Sequence, residues 1–174
     1  FLGKLDFASC PQVDMVRKTA SLFPHGDVNG KTLGVAMEDE LSGNLTLSFN
    51  MLSVDAASMD GEFDGRIPVC GNDENVLEVV RARMAEQGLT LLNKALIPPH
   101  HVSADSYFVK TLLAAFELYT GRKGECQALG GGTYVHHLEN GVAFGAAMPE
   151  TDNKMHGPDE FAVVDELLVS AKIF

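Results

Sequence analysis

Six histidines, a run of three glycines and an arginine inside an apolar stretch are the residues of this sequence best suited to chemistry. His156 stands in Met155-His-Gly-Pro-Asp-Glu-Phe161, after the apolar run Gly141-Val-Ala-Phe-Gly-Ala-Ala-Met-Pro149. A neutral imidazole there can ligate a metal while a carboxylate or carbonyl orients its other nitrogen. A hydrogen-bonded loop histidine is the default, and spacing alone leaves both readings open. Gly130-Gly-Gly-Thr133 offers close backbone approach and free N–H groups, suited to a carboxylate or phosphate or simply to a tight turn. It is neither a P-loop nor a dinucleotide fingerprint. Arg66 either snorkels to solvent or points into a cleft, where its planar fork takes a carboxylate bidentately.

The other histidines carry less. His100-His101 and His136-His137 are sequence neighbours, which do not face one another on a helix or strand, so neither pair is a natural chelate. His25 lies in a Pro-His-Gly turn. No Ser/His/Asp order, no His-Glu-x-x-His and no Cys/His pair at nucleophile spacing is present, and the acids show no pattern that marks a general-base pair.

The elements that must position these residues follow from periodicity. Val13, Val16, Ala20 and Phe23 predict a helix over 12–23, closed by Pro24 and Gly26. Thr32–Met37 reads as a strand, then a Ser-Gly-Asn turn, then Leu45–Met51 alternating apolar and polar at period two, so that the two strands form an antiparallel hairpin. Residues 53–60 read as a loop and 62–69 as a third strand, with Pro68 at its end. Asn72 or Asp73 caps a helix to about Gln87, with Val76, Val79, Val80 and Met84 on one face and Gly88 just beyond its end. Residues 89–97 read as a fourth strand, closed by Pro98-Pro99.

A helix follows Ser103-Ala-Asp-Ser, with Phe108, Leu112 and Phe116 in a row and Gly121 at its end. Residues 142–147 read as a buried strand, and Pro158 with Asp159-Glu160 opens a last helix whose apolar face is Phe161, Val164, Leu167, Leu168 and Ala171. The order predicts an α+β fold: a two-layer α/β sandwich, an antiparallel sheet with helices on one face, followed by a βα segment. The candidate boundary is Pro98 to Ser103, giving domains 1–98 and 99–174.

Composition bounds the rest. The formal charge of −11 argues against nucleic acid, whose phosphates need a basic face. No apolar run is long enough for a membrane helix, and no signal peptide is visible. Cys10, Cys70 and Cys126 are odd in number and far apart, which suits a reducing cytoplasm and argues against a disulfide framework or a thiolate zinc site. Phe1-Leu-Gly-Lys-Leu-Asp has no starting Met and reads as the tail of a helix, which predicts a piece of a longer protein.

Three stretches taken together closely resemble the C-terminal part of the PepV-like zinc dipeptidases of the peptidase M20 family. They are Lys110-Thr-Leu-Leu with Tyr119-Thr-Gly-Arg-Lys-Gly, then Leu129-Gly-Gly-Gly-Thr-Tyr134 with Gly141-Val-Ala-Phe-Gly145, then Met155-His-Gly-Pro-Asp-Glu-Phe161. Upstream, Lys31-Thr-Leu-Gly-Val-Ala, Asp39 to Gly43 and Gly65-Arg-Ile-Pro68 resemble the family's lid domain, so the likeness covers essentially the whole chain. It implies that 1–98 is part of a lid and 99–174 the C-terminal segment of a metallopeptidase catalytic domain. It implies that His156 ligates one of two zinc ions, that Arg66 holds the substrate carboxylate, and that Gly131, Gly132 and Thr133 line the substrate's C-terminal side. The activity implied is hydrolysis of short peptides with a free C-terminal carboxylate, by water activated at two metal ions.

The family's other metal ligands, its general base and its lid histidine have no counterpart here, so the chain by itself is expected to be inactive. Its expected partners are the remaining N-terminal part of the same enzyme and, through unpaired strand edges in the last segment, a second copy. His136-His137 stands where relatives commonly have Gly-Arg, and Ile67 where an aromatic is common, which leaves substrate preference open. An amidohydrolase acting on N-acyl amino acids and a non-catalytic binding or dimerisation module are the alternatives.

Overall fold

A computed structural model describes residues 5–144, 148 and 150–174. It divides into two units, Phe1–His100 with Ala128–Gly131, and His101–Gln127 with Gly132–Phe174. The described residues are mixed α+β, with four α-helices and two small antiparallel sheets.

In the first unit, α1 (Pro11–Leu22) starts with proline, whose missing N–H costs nothing at a helix start. Of the predicted face Val13, Val16 and Phe23 are half-buried and Ala20 faces solvent, while Thr19 and Leu22 are the buried positions. Phe23, which ends the helix, packs on Phe49 and Phe63 with ring centroids 5.0 Å apart in both pairs. Those rings belong to β3 (Thr46–Val54) and β4 (Met59–Arg66), an antiparallel hairpin turned by Asp55 to Ser58. Asp55 closes the turn by accepting from the N–H groups of Ala57 and Ser58, each at 2.7 Å.

The hairpin is therefore not the predicted one. Residues 32–34 form a turn, and only β1 (Glu38–Asp39) pairs with β2 (Gly43–Asn44). The alternation predicted for Leu45 onward is nevertheless real as far as Phe49: Leu45 is essentially fully buried and Leu47 and Phe49 half-buried, while Thr46 and Ser48 are exposed. Single hydrogen bonds stand in for a ladder: Val35 N–H donates to the Gly30 carbonyl and Leu45 N–H to that of Met37. The predicted period also breaks at Asn50, where a bulge between Phe49 and Met51 turns Met51 out, 64% exposed, and brings Leu52 in.

Asn72 caps the next helix as predicted. Its side chain accepts from Glu74 and Asn75, Asn75 reciprocates, and a wide π-type turn, Asp73–Leu77, leads into α2 (Glu78–Glu86). Gly88, at φ +75°, ends it. Val76, Leu77 and Val80 join Leu22, Leu33, Val35, Leu45 and Leu91 in one core cluster. Residues 89–97 do not form a strand. Among the described residues no strand lies alongside; instead Arg81 donates to the carbonyls of Leu91 and Asn93 at 3.3 and 2.9 Å, and Asp73 accepts from Leu96 N–H.

The second unit is helical. Ser106 caps α3 (Tyr107–Thr120) by accepting from Val109 N–H, and Gly121 closes it at φ +67°. Among the described residues of this unit Val109 alone is a buried apolar side chain. The last helix, α4 (Val164–Ile173), begins six residues after Pro158 rather than at it. Asp159 has φ +60°, which a right-handed helix cannot contain, so the predicted opening is a turn instead. Its face is rotated too: Val164, Leu167 and Leu168 are exposed, while Glu166, Val169 and Ile173 are half-buried. Phe144 stacks edge-on against Phe116 and Phe174, at 6.5 and 5.4 Å. Of the predicted strand over 142–147, residues 142–144 are irregular and the rest lie outside the described residues.

Candidate functional site

Arg66 ends β4, where period two sets Asp60, Glu62, Asp64 and Arg66 on the outward face and Phe63 and Gly65 inward. The guanidinium is neither free nor in a closed cleft. Its Nη2 lies 3.0 Å from Asp64 Oδ2 and its Nη1 3.4 Å from Oδ1, with both side chains half exposed. Its aliphatic stem runs past Gly130, where a Cβ would lie 3.8 Å from Arg66 Cγ. The structure thus brings the arginine to the first glycine of the predicted loop.

Gly131 and Gly132 have ordinary negative-side φ, and a Cβ on either would meet nothing within 4 Å. Nothing in the described fold requires glycine there. Thr133 belongs to the second unit and begins a short 3₁₀ turn, Tyr134–His137, which periodicity did not signal. Its N–H faces Nδ1 of His136 at 3.3 Å, so the first member of the His136-His137 pair serves a local cap.

His156 sits in a loop closed by Phe161 N–H donating to the Asn153 carbonyl at 3.2 Å. It has φ +62°, a left-handed conformation that costs a residue bearing a Cβ about 1 kcal/mol relative to glycine. Glu160 Oε2 accepts from its backbone N–H at 3.4 Å, so the carboxylate expected to orient the ring engages the main chain, and the residue is exposed. Gly157 follows for a steric reason, since a Cβ would lie 2.9 Å from the Lys154 carbonyl oxygen. Among the described residues no three His, Cys, Asp or Glu side chains converge as a metal site. A catalytic zinc takes three protein ligands and an open position, so His156 and its described neighbours do not by themselves fit the two ions.

Electrostatic effort lies elsewhere. Asp39 is held down to about pKa 2, chiefly by the Ser42 backbone N–H at 2.6 Å, with Cys70 N–H at 3.1 Å adding to it. Asp27 is likewise lowered to about 2, chiefly by the Thr32 N–H at 2.7 Å. Both staple turns of the first unit.

No family model matches the chain. Curated proteins do. A Bacillus subtilis (strain 168) protein named "Putative dipeptidase YtjP" is 37% identical over 152 residues, 86% of this chain and 32% of that protein. The "Beta-Ala-Xaa dipeptidase" of Lactobacillus delbrueckii subsp. lactis is 32% identical over 151 residues, again 86% and 32%. The likeness is to proteins named dipeptidases. The chain spans about a third of the length of these curated relatives. No helix among the described residues is long and apolar enough to cross a membrane.

Periodicity missed three participants. Asp64 carried a usable signal, because a residue two before Arg66 on a strand shares its face. Gly130 was seen as a turn but not as the arginine's neighbour, which needed the tertiary contact. Glu160 was noted, but its partner is a backbone N–H that no sequence pattern marks.

Proposed function

We propose that this chain is part of an M20-type metallo-dipeptidase, a hydrolase of short peptides that carry a free C-terminal carboxylate. The observation that carries this reading is the likeness to two proteins named dipeptidases over 86% of the chain. In this reading 1–98 is part of the lid domain and 99–174 is the C-terminal segment of the catalytic domain. Arg66 grips the substrate carboxylate with its planar fork, which an ammonium could not reproduce. Gly131 and Gly132 keep the backbone approachable. The empty space around a Cβ at each supports this, since the fold gives no other reason for glycine. The exposed imidazole of His156 is one zinc ligand, held at a backbone angle that its own loop does not favour. The remaining ligands of two zinc ions, and the general base, come from the remainder of the enzyme. Free cysteines at Cys10, Cys70 and Cys126 fit a cytoplasmic protein. The strand edges of the last segment, through which a second copy was expected to pair, are not found among the described residues of 99–174, which form no strand.

The test is hydrolysis of a dipeptide, its C-terminal amide and an N-acyl amino acid, with zinc, by a protein that joins this sequence to the rest of a dipeptidase. Cleavage of the dipeptide well above the other two is expected, and the 174-residue chain alone should give none. Turnover by the chain alone would sink the claim that further ligands are essential. Preference for the acyl amino acid would replace the dipeptidase reading with an amidohydrolase. Gly131→Ala separates function from fold: stability should stay the same or rise slightly, while peptide binding weakens.

A further inference from the structure

A guanidinium offers two carboxylate-sized edges: the pair of Nη ends, and the side formed by Nε and one Nη. In Arg66 the first is already taken, because Asp64 reaches Nη2 at 3.0 Å and Nη1 at 3.4 Å. The two residues share one face of β4, and their partners across the ladder are small, Thr46 opposite Arg66 and Ser48 opposite Asp64. Nothing bulky on β3 therefore covers the guanidinium. On the other side the aliphatic stem, not the guanidinium, passes Gly130, where a Cβ would lie 3.8 Å from Arg66 Cγ and 3.9 Å from its Cβ. A flexible arginine loses much rotamer freedom when it binds a ligand. One already pinned at its ends loses less, and its affinity rises accordingly.

We propose that Asp64 is a positioning residue for carboxylate recognition: it occupies the Nη ends of Arg66 and leaves the Nε edge for the carboxylate of a short peptide. This rests on the reading of Arg66 as the carboxylate-binding residue, and the experiment separates the two.

The whole chain, labelled with ¹⁵N, is titrated with alanyl-alanine and with its C-terminal amide, following the Arg66 Nε–H resonance. The free acid should shift that resonance and the amide should not. Asp64→Ala should weaken free-acid binding about fivefold, the most an exposed pair of this kind supports. Asp64→Asn, which keeps the shape and one acceptor, should weaken it less. The backbone amide pattern of β3 and β4 should be unchanged in Asp64→Asn, which distinguishes positioning from loss of the hairpin. Equal or tighter binding by both Asp64 variants overturns the proposal, since Asp64 would then be idle or a competitor for the guanidinium. Unchanged binding by Arg66→Ala overturns instead the underlying reading of Arg66.

Discussion

The two units solve the same local problems with different chemistry. In the first, every described residue with left-handed φ is a glycine: Gly26, Gly30, Gly34, Gly43 and Gly88. In the second, Gly121 is joined by Asn140, Lys154, His156 and Asp159. Carboxylates divide the same way. Asp27, Asp39 and Asp55 are lowered by backbone N–H groups, whereas Asp105 and Glu150 are lowered by the Lys110 and Arg122 side chains. Leu33, Val35 and Leu45 lie in a closed core, while Tyr107, Leu118, Tyr134 and Val164 are largely exposed. The first unit is built around its own interior. The second keeps three non-glycine residues with left-handed φ, Lys154, His156 and Asp159, in the loop that carries His156.

The largest expected effect comes from that interior. Leu45→Ala should cost about 3–5 kcal/mol, while Leu168→Ala, on the exposed face of α4, should change stability by about 0.5 kcal/mol or less. Urea unfolding followed by hydrogen exchange in each unit reads both. Similar losses would mean that the second unit has an interior comparable to the first.

Glycine sharpens the contrast next. Gly30→Ala combines φ +69° with a Cβ 2.7 Å from Val35 Cγ2, so strain and clash add to about 2 kcal/mol or more. Gly121→Ala has φ +67° but open space, so only the backbone term of about 1 kcal/mol remains. Equal denaturation midpoints for the two variants would remove packing from the account. His156→Gly runs the other way: relieving φ +62° should raise stability by about 0.5–1 kcal/mol, while deleting the proposed ligand. A destabilised variant would show that the imidazole itself supports the loop.

The smallest effect concerns pH and salt. Asp27 and Asp39 have folded pKa values of about 2 against 3.8 in the ordinary carboxyl, so their contribution is fully present above pH 3.8 and is lost as pH falls through 2. Asp39→Asn should flatten the fall of the urea midpoint between those limits. Salt at 1 M should weaken the Lys110–Asp105 and Arg122–Glu150 pairs, which are exposed, and leave the backbone-held aspartates almost unchanged. Carboxyl ¹³C NMR titration of each acid distinguishes the two classes.

The sequence by itself determined much of the local structure. Pro11, Asn72, Ser106 and Gly121 set helix ends through capping and φ preference, which act within one turn. Alternation marked Leu45, Leu47 and Phe49 as one face, and Arg66 was placed on the strand read over 62–69. Only the tertiary structure decided which strands pair, because ladder partners are chosen by packing on Phe23, Phe49 and Phe63 and not by either strand alone. It also decided that 89–97 has Arg81 where a neighbouring strand would be, that Asn50 bulges and exposes Met51, and that α4 turns a different face inward. At the candidate site the residue types at 66, 131 and 156 were readable, since chemistry belongs to side chains. The engagement of Arg66 by Asp64, its approach to Gly130 and the left-handed backbone of His156 were not, because each depends on where the chain passes in space.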